Sequence, residues 1–238
     1  MQSRFFSDRD ELSIEVAKLI LSVIPEDTRV NVLLSAGTLP LQIYEYLVPK
    51  LKMHQYSGVH YYLADEIPIS AGDISMLTYA RVRDNFFIPA QIPTDRIHAL
   101  NMNSIKNIDE EIAKAGGIDI ALLSLESDGH IAANLPGSSF ESESRELTVD
   151  KNNQDIVNSL QDRVGHDLVV PDSVLTIGMK TIKQAKRIVL VAVGDKKANA
   201  TLYLMRAPLS ESLPASILHL HGNCHLMIDA AAARGIQG

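Results

Sequence analysis

Residues 118–130 read IDIALLSLESDGH, an almost uninterrupted apolar run followed by acids, a glycine and a histidine. Such a run predicts a strand buried on both faces, because a half-exposed strand would alternate apolar and polar residues. Asp128 and His130 therefore emerge from the centre of a sheet, where polar groups are costly unless they are paired. The two side chains can share a hydrogen bond that fixes the imidazole's tautomer, with Gly129 turning the chain between them. The spacing alone is also that of an ordinary turn.

Four more apolar runs indicate strands of the same type: VNVLL at 30–34, VHYYL at 59–63, RIVLVAV at 187–193 and CHLMI at 224–228. Apolar residues at helical spacing lie between them, at Leu12, Val16, Leu19, Ile20, Val23 and Ile24, at Leu41, Tyr44, Leu47 and Val48, and at Val174, Ile177, Thr181 and Ile182. Strand and helix alternate along the whole chain. This alternation predicts an α/β fold with a mostly parallel sheet and helices on both sides.

The chain shows no repeat, no low-complexity tract and no Gly/Ser-rich linker, so residues 1–238 are expected to form a single domain. The polar stretch KNNQDIVNSLQDRVGHD at 151–167 is the expected insertion or lid. In sheets of this kind ligands bind beyond the carboxyl ends of the strands, where loops collect. The residues that follow each strand are therefore the site candidates.

The composition excludes several classes of partner. The formal net charge is −7 with only 22 Lys and Arg residues, whereas nucleic-acid binding relies on clustered basic side chains. No run reaches the roughly 18 apolar residues of a membrane span, and the N-terminus lacks the apolar run of a signal peptide. A single cysteine, Cys224, allows neither an internal disulfide nor a paired-cysteine zinc site. We expect a soluble, cytoplasmic protein without a nucleic-acid or membrane partner; whether it forms a homo-oligomer is left open.

Two strand ends are suited to bind an anion. SAGTLP at 35–40 leads into a helix, whose free N–H groups and small residues favour a phosphate such as that of a sugar phosphate. GDKKA at 194–198 follows another strand, and a lysine there would complete a phosphate pocket. Each pattern alone also fits an ordinary turn or a solvated lysine. The candidate anion-binding residues are Ser35, Gly37 and Thr38, with Lys196 or Lys197 as the basic side chain.

A pair of acids follows the strand at 59–63. Asp65 and Glu66 are adjacent in an extended segment, so their side chains point to opposite sides and at most one faces a site directly. Asp65 is the one nearer to the strand end. A solvated acidic loop is the alternative interpretation.

Other residues are interpreted as structural. His219, His221 and His225 have no acid or cysteine close by in the sequence, which favours packing or surface positions over a metal site, so no metal is expected. Cys224 opens an apolar run and is expected to be a buried small hydrophobe. Of Tyr61 and Tyr62, at least one is expected to pack in the core.

The motifs together resemble one enzyme superfamily, that of glucosamine-6-phosphate deaminase and 6-phosphogluconolactonase. The similar segments keep the same order over about residues 7–233: SAGTLP, ADEIP at 64–68, DGHIAANLPGSSFESESR at 128–145, VPDSVLTIGMKTI at 170–182, VAVGDKKANA at 191–200 and LPASILHLH at 213–221. The DGHIA segment is the most specific and favours the deaminase branch. The resemblance implies a single-domain, Rossmann-like three-layer sandwich.

The resemblance also implies an activity. The hexosamine 6-phosphate ring opens, a proton moves from C2 to C1, and ammonia leaves to give a ketose 6-phosphate, with no metal or nucleotide cofactor. Asp65 would match the base that moves the C2 proton, and His130, supported by Asp128, would assist ring opening. The phosphate turn would comprise Ser35, Gly37 and Thr38, with Arg145 and Lys197 as its cationic partners.

Several positions depart from the family pattern. Leu135 stands where the deaminases have an acid before the proline, and Ile67 stands where the lactonases have an arginine. Ser124 and Glu126 replace glycines in the approach to the DGH triplet, and Leu39 replaces a threonine of the phosphate turn. Glu126 either replaces the missing carboxylate from a different direction or is solvated or paired with a lysine.

Three functions stay open. The leading one is an amino-sugar 6-phosphate isomerase or deaminase that acts on glucosamine 6-phosphate or galactosamine 6-phosphate. The second is a 6-phosphogluconolactonase-type hydrolase in which His130 activates water, a function that Leu135 favours. The third is a sugar-phosphate-binding protein without turnover, for which the altered glycines and Leu135 are the evidence.

Overall fold

The structure, a computed structural model, describes residues 1–25, 28–54, 56, 58–68, 76–165 and 169–236. Within these residues ten strands, numbered in chain order, form two sheets. Seven of them form one sheet in which every neighbouring pair is parallel, in the order β1-β10-β9-β6-β2-β3-β5. Their bounds are β1 Gln2–Phe6, β2 Val30–Leu34, β3 Val59–Leu63, β5 Ile97–His98, β6 Ile120–Ser124, β9 Ile188–Ala192 and β10 Cys224–Asp229.

The remaining three strands form a small antiparallel sheet in the order β4-β8-β7. Their bounds are β4 Asp65–Glu66, β7 Arg145–Thr148 and β8 Ser173–Thr176. The α-helices of the described residues are α1 Arg9–Leu21, α2 Thr38–His54, α3 Leu77–Val82, α4 Ile108–Lys114, α5 Gln154–Val164, α6 Met179–Ile182 and α7 Ala198–Arg206. The alternation of strand and helix therefore produces the expected α/β fold with a mostly parallel sheet.

The central strand is the one that the apolar run at 118–125 predicts. β6 lies between β2 and β9 in the middle of the seven-stranded sheet, and its residues Ile120 to Leu123 are fully buried. Strands buried on both faces need helices on both sides, which explains why apolar residues are continuous here. The chain order also changes direction between β2 and β6, and the carboxyl ends of strands at such a switch point form a crevice for ligands.

The buried apolar side chains of the described residues form two hydrophobic cores. The larger one joins the seven-stranded sheet to helices such as α1 and α2, and it includes Tyr61 and Tyr62, which are both buried as expected. A second, smaller core joins α5 to the small sheet through Leu160, Val164 and Val174, together with Ile67. The polar stretch at 151–167 thus contains the helix α5, and residues 166 and 167 lie outside the described residues.

Three expectations about elements need correction. The residues from Val174 to Ile182 form no single helix: β8 ends at Thr176, and the helix α6 has only four residues. Helix α1 ends at Leu21, before Val23 and Ile24. Strand β1, whose sequence QSRFF was not expected to be a strand, pairs with β10 at the sheet edge, where four of its five residues are exposed and hydrophobic patterning gives little signal.

Within the described residues, no helix combines the length and the apolar character that spanning a bilayer requires. The buried Cys224 behaves as a small apolar residue, and burial raises the pKa of its thiol to about 12. The three histidines near the last strand bond to different groups: His219 to the Leu204 carbonyl, His221 to the Ala185 carbonyl and His225 to the Asn223 side chain.

Candidate active site

A cavity of about 480 Å³ opens at the carboxyl ends of the central strands. This size suits a small ligand such as a monosaccharide phosphate. The segments after β2, β3, β6 and β9 all contribute to its wall, as the switch-point rule predicts. The charged residues that line it are Arg9, Asp65, Glu126, Arg163, Asp195, Lys196 and Lys197.

The turn after β2 forms one side of the cavity. Ser35 and Gly37 line the wall, and the helix α2 begins at the next residue, so its first N–H groups start at the cavity. The Tyr44 hydroxyl donates a hydrogen bond to the Ser35 carbonyl at 2.5 Å and thereby fixes the turn. The side chain of Thr38 lies outside the described part of the structure. This turn has the features of an anion-binding site.

Of the two acids after β3, only Asp65 lines the cavity. Its side chain is 2% exposed and forms an ion pair with Arg163. Glu66 points the other way, as the alternation along an extended segment predicts, and accepts hydrogen bonds from the backbone N–H groups of Ile67, Thr78 and Tyr79. Glu66 is therefore a buried helix cap for α3, outside the group of residues that line the cavity.

Arg163 is a cavity residue that the sequence analysis missed. It lies on α5, lines the cavity together with Ser159, and reaches Asp65 across 98 positions of sequence. Burial opposes its charge, but Asp65 and Glu126 hold the pKa of the guanidinium above its usual value. A signal was present, because Arg163 is the only Lys or Arg between Lys151 and Lys180, within the stretch expected to cover the site.

Asp128 and His130 form the expected pair. The carboxylate Oδ1 lies 2.7 Å from the imidazole Nδ1 and also accepts the backbone N–H of His130 at 3.2 Å. Burial would raise the pKa of Asp128, but these hydrogen bonds and the charge of His130 hold it below its usual value. The carboxylate is thus ionised at neutral pH and orients the ring through Nδ1.

Gly129 makes this pairing possible. Its φ is +87°, in the left-handed region that disfavours residues with a Cβ, and an added Cβ would lie 2.1 Å from Leu213 Cδ1. Its carbonyl also accepts a hydrogen bond from the Ala215 N–H. The turn therefore requires glycine for both its backbone conformation and its close packing.

The DGH loop lies directly against the cavity wall. Glu126, Ser127 and Ala132 line the cavity, whereas His130 is 3% exposed and is not among the described residues that line it. The Glu126 N–H donates to the His130 carbonyl at 3.0 Å. The two sides of the site meet at Thr176, whose hydroxyl accepts the Ala133 N–H and whose backbone pairs with Asp65.

On the opposite side, the turn after β9 brings basic residues to the cavity. Lys197 forms an ion pair with Glu126, and each side chain is about one-fifth exposed. Burial would raise the pKa of Glu126, but Lys197, His130 and Arg163 together lower it. Four of the charged residues that line the cavity therefore attract one another in the order Asp65, Arg163, Glu126, Lys197.

The structure separates Arg145 from this group. Its guanidinium donates hydrogen bonds to the Asn134 side chain, the Ser138 hydroxyl and the Glu143 carbonyl, and it is not among the described residues that line the cavity. Arg145 lies on β7, at the edge of the small sheet opposite to β4, which carries the cavity residue Asp65. Arg145 was expected to be a cationic partner of the phosphate turn, but the arginines among the described residues that line the cavity are Arg9 and Arg163.

The positions that depart from the family pattern fall into two groups. Leu39, Ser124 and Glu126 line the cavity and so change the surface that a ligand meets. Ile67 is buried in the second core, and Leu135 is partly buried in the segment that follows the DGH triplet. Of the five, Glu126 alone adds a charge to the cavity.

Comparisons with known proteins agree with this geometry. Residues 7–226 match the family model described as glucosamine-6-phosphate isomerases/6-phosphogluconolactonase. The glucosamine-6-phosphate deaminase of Clostridium acetobutylicum is 33% identical over 96% of this chain and 97% of its own length. That of Corynebacterium kroppenstedtii is 32% identical over 96% of this chain and 90% of its own length.

Solved structures lead to the same family. A monomeric glucosamine-6-phosphate deaminase superposes on this chain with a TM-score of 0.86 at 28% sequence identity. The superposition covers 98% of this chain and 99% of the deaminase chain. The 6-phosphogluconolactonase of Trypanosoma cruzi shares the fold, with a TM-score of 0.77 at 19% identity over 100% of this chain and 97% of its own. The chain belongs to the family of glucosamine-6-phosphate isomerases and 6-phosphogluconolactonases.

Proposed function

We propose that this protein is an amino-sugar 6-phosphate deaminase, which converts glucosamine 6-phosphate or its galacto epimer and water into a ketose 6-phosphate and ammonia. One observation carries the proposal: a single cavity brings together a buried carboxylate, several cations that include Arg163 and Lys197, and an anion-binding turn, with a carboxylate–imidazole pair against its wall. The deaminases at 32% and 33% identity over nearly the full chain support it.

Asp65 is the proposed base. A carboxylate that removes the proton next to a carbonyl must be shielded from water and close to the substrate, and Asp65 is both 2% exposed and on the cavity wall. It takes the proton from C2 of the open-chain amino sugar and returns it to C1. The resulting imine at C2 is then hydrolysed by water, which releases ammonia and leaves the ketose.

His130 and Asp128 are the proposed pair for ring opening. Because Asp128 holds Nδ1, Nε2 is the nitrogen left to exchange a proton with the sugar's ring oxygen and anomeric hydroxyl, and the proposal requires the sugar to reach the buried ring past the cavity wall at Ser127 and Ala132. Ring opening needs both the gain and the loss of a proton, and an imidazole is suited to both near neutral pH.

The phosphate is proposed to bind between the turn at Ser35 and Gly37 and the cations Lys197 and Arg163. Backbone N–H groups at the start of α2 supply fixed donors, and the two cations balance the dianion. When the phosphate engages Arg163, the guanidinium moves its charge away from Asp65. Substrate binding would thereby leave the base free to accept a proton.

The test is an assay of the purified protein with three compounds. We expect ammonia release from glucosamine 6-phosphate or galactosamine 6-phosphate, and no hydrolysis of 6-phosphogluconolactone above the uncatalysed rate. Lactone hydrolysis without ammonia release would establish the second candidate, which the apolar Leu135 favours. If both assays are silent while a sugar phosphate raises the Tm, the protein binds without turnover.

Replacing Asp65 by Asn should lower kcat by about 10²- to 10⁴-fold, because the amide cannot accept the C2 proton. Steady-state kinetics of ammonia release measure this loss. The variant should still show a sugar-phosphate-induced increase in Tm, since the phosphate ligands remain. A kcat within threefold of the wild type would remove Asp65 from the mechanism.

Replacing Arg163 by Ala should raise KM for the phosphorylated substrate by roughly ten- to a hundredfold, because a buried cation that meets the phosphate is lost. Arg145→Ala is the matched control, since Arg145 is an arginine outside the cavity, and its KM should stay near the wild-type value. The reverse pattern would restore Arg145 as the phosphate ligand.

We also propose that the chain acts in the cytoplasm and folds as one domain. The single cysteine, Cys224, is buried, so no disulfide supports the fold. The first strand of the small sheet begins at Asp65, and only Ala64 separates it from the end of β3, which couples the small sheet closely to the main sheet. A single calorimetric unfolding transition of the reduced protein would support one domain, and two separate transitions would contradict it.

A further inference from the structure

Glu126 is a cavity residue that the proposed reaction does not use. It follows β6 directly, lines the cavity, and pairs with Lys197, which comes from the turn after β9. The two side chains are 20% and 21% exposed, so they meet largely away from solvent. Their attraction is screened less than that of a surface pair.

Burial opposes the ionised form of Glu126, but nearby cationic groups favour it and hold the pKa of the carboxyl below its usual value. Lys197, His130 and Arg163 are the three cationic or ionisable groups that act on its carboxylate. In the ligand-free cavity Arg163 is held by Asp65, and Lys197 is held by Glu126. Of the four cations among the described residues that line the cavity, the two that are proposed to bind the phosphate are therefore already paired with carboxylates of the protein.

We propose that Glu126 is a specificity-determining residue that competes with the substrate's phosphate for Lys197. Through this competition it sets the affinity for phosphorylated ligands, and it does not act on the reacting carbon atoms. The inference rests on the proposed function only in assuming that a phosphate binds at Lys197. An arriving dianion must either displace the carboxylate from the ammonium or share the ammonium with it. In both cases two like charges are brought together, which costs binding free energy.

A second acid of the same cavity provides a matched control. Asp195 also lines the wall, but it pairs with Arg234, and both of these side chains are more than 60% exposed. Water and salt screen a charge in such a position. Loss of the Asp195 charge should therefore change phosphate binding much less than loss of the Glu126 charge.

The experiment measures the Kd of inorganic phosphate by isothermal titration calorimetry on the full-length wild type, Glu126→Gln and Asp195→Asn at low ionic strength. Glu126→Gln should bind phosphate about tenfold more tightly, and Asp195→Asn should stay within twofold of the wild type. With the proposed substrate, Glu126→Gln should lower KM by a similar factor and leave kcat within about threefold. Weaker or unchanged phosphate binding in Glu126→Gln would overturn the inference, since the carboxylate would then orient Lys197 or have no effect on it.

A second pair of variants tests competition for Lys197 itself. In a Lys197→Ala background, Glu126→Gln should bring little gain in phosphate affinity, because the contested ammonium is absent. A full tenfold gain in that background would overturn competition for Lys197. Circular dichroism checks that each variant is folded. If Glu126→Gln does not fold, Glu126→Asp replaces it, because this variant keeps the charge but shortens the side chain. Glu126→Asp should give an intermediate gain in phosphate affinity, and no gain would overturn the inference.

The calorimetric readout needs no turnover. If every variant lacks ammonia release but Glu126→Gln still tightens phosphate binding, the proposed function fails while the role of Glu126 stands. If ammonia release is present and phosphate affinity does not respond to Glu126→Gln, the function stands and the role of Glu126 fails.

Discussion

At the scale of single residues, the site depends on a turn that only one residue type fits. Asp128 and His130 are two positions apart, and their side chains meet at 2.7 Å because Gly129 adopts a φ of +87° between them. Leu213 packs against the glycine from another part of the chain. The hydrogen bond is therefore local in sequence, but the packing that holds it is not.

Replacing Gly129 by Ala should destabilise the protein and abolish turnover. The positive φ alone costs about 1–2 kcal/mol for a residue with a Cβ, and the contact with Leu213 adds about 1–3 kcal/mol. Gly116→Ala is the control, because its φ of +94° is similar and nothing lies within 4 Å of the added Cβ. Urea denaturation measures both variants, and equal losses would show that packing against Leu213 contributes nothing.

At the scale of elements, a buried acid connects β4 to α3. Glu66 lies on β4, and its carboxylate accepts the N–H groups of Thr78 and Tyr79 in the first turn of α3 at 2.6 and 2.8 Å. Burial is the largest influence on the pKa of Glu66 and raises it, whereas these hydrogen bonds lower it. The net result is a pKa of about 7. The carboxyl that caps this six-residue helix therefore changes its protonation state near neutral pH.

The protonation of Glu66 makes the stability of the protein depend on pH in a definite direction. Because the pKa of Glu66 in the folded state is higher than the 4.5 of a solvated glutamate, the folded protein binds this proton more tightly than the unfolded chain does. The resulting stability is fully present below about pH 4.5 and is lost as the pH rises through 7, by up to about 3 kcal/mol. Glu66→Gln lacks the titration, so the free energy of unfolding of the wild type should fall relative to this variant between pH 4.5 and 8. Parallel pH curves from urea denaturation would contradict the shift.

At the scale of the whole molecule, the second core lies on one side of the cavity and supports α5. Leu160 and Val164 pack α5 against the small sheet, and Arg163 points from the same helix into the cavity. The larger core includes the central strands, whose residues Leu122 and Leu190 are fully buried. A smaller apolar core provides less stabilisation against local opening than a larger one.

Replacing Leu160 by Ala should therefore loosen α5 before the central sheet. We expect amide hydrogen exchange to accelerate in α5 by about 10- to 100-fold, with the exchange of β6 and β9 changing much less. KM should rise together with exchange, because Arg163 loses its fixed position. Leu190→Ala is the control and should lower the protection from amide hydrogen exchange across the whole main sheet. The same exchange pattern in both variants would show that the two cores unfold as one unit.

The sequence by itself determined five of the seven described strands of the main sheet and the local part of the site. Continuous apolar runs indicate buried strands, and the residues at 128–130 form their hydrogen bond within three positions, so both signals are contained in short segments. It also placed Asp65 and Glu66 on opposite sides, because alternation is a property of any extended chain. The exposed β1 and the two-residue β5 carried too little hydrophobic pattern to be recognised, and the apolar residues of β8 also fitted helical spacing.

Only the tertiary structure decided which charges meet. Arg145 is close in sequence to the DGH motif but lies on the edge of the small sheet, whereas Arg163, 98 positions from Asp65, pairs with it in the cavity. Glu126 and Lys197 meet in the same way across 71 positions. Such pairs depend on how the strands are ordered and on how the second core positions α5, and no local pattern of residue types encodes either arrangement. Side-chain chemistry and backbone periodicity are short-range properties, while an active site is formed by the convergence of distant loops.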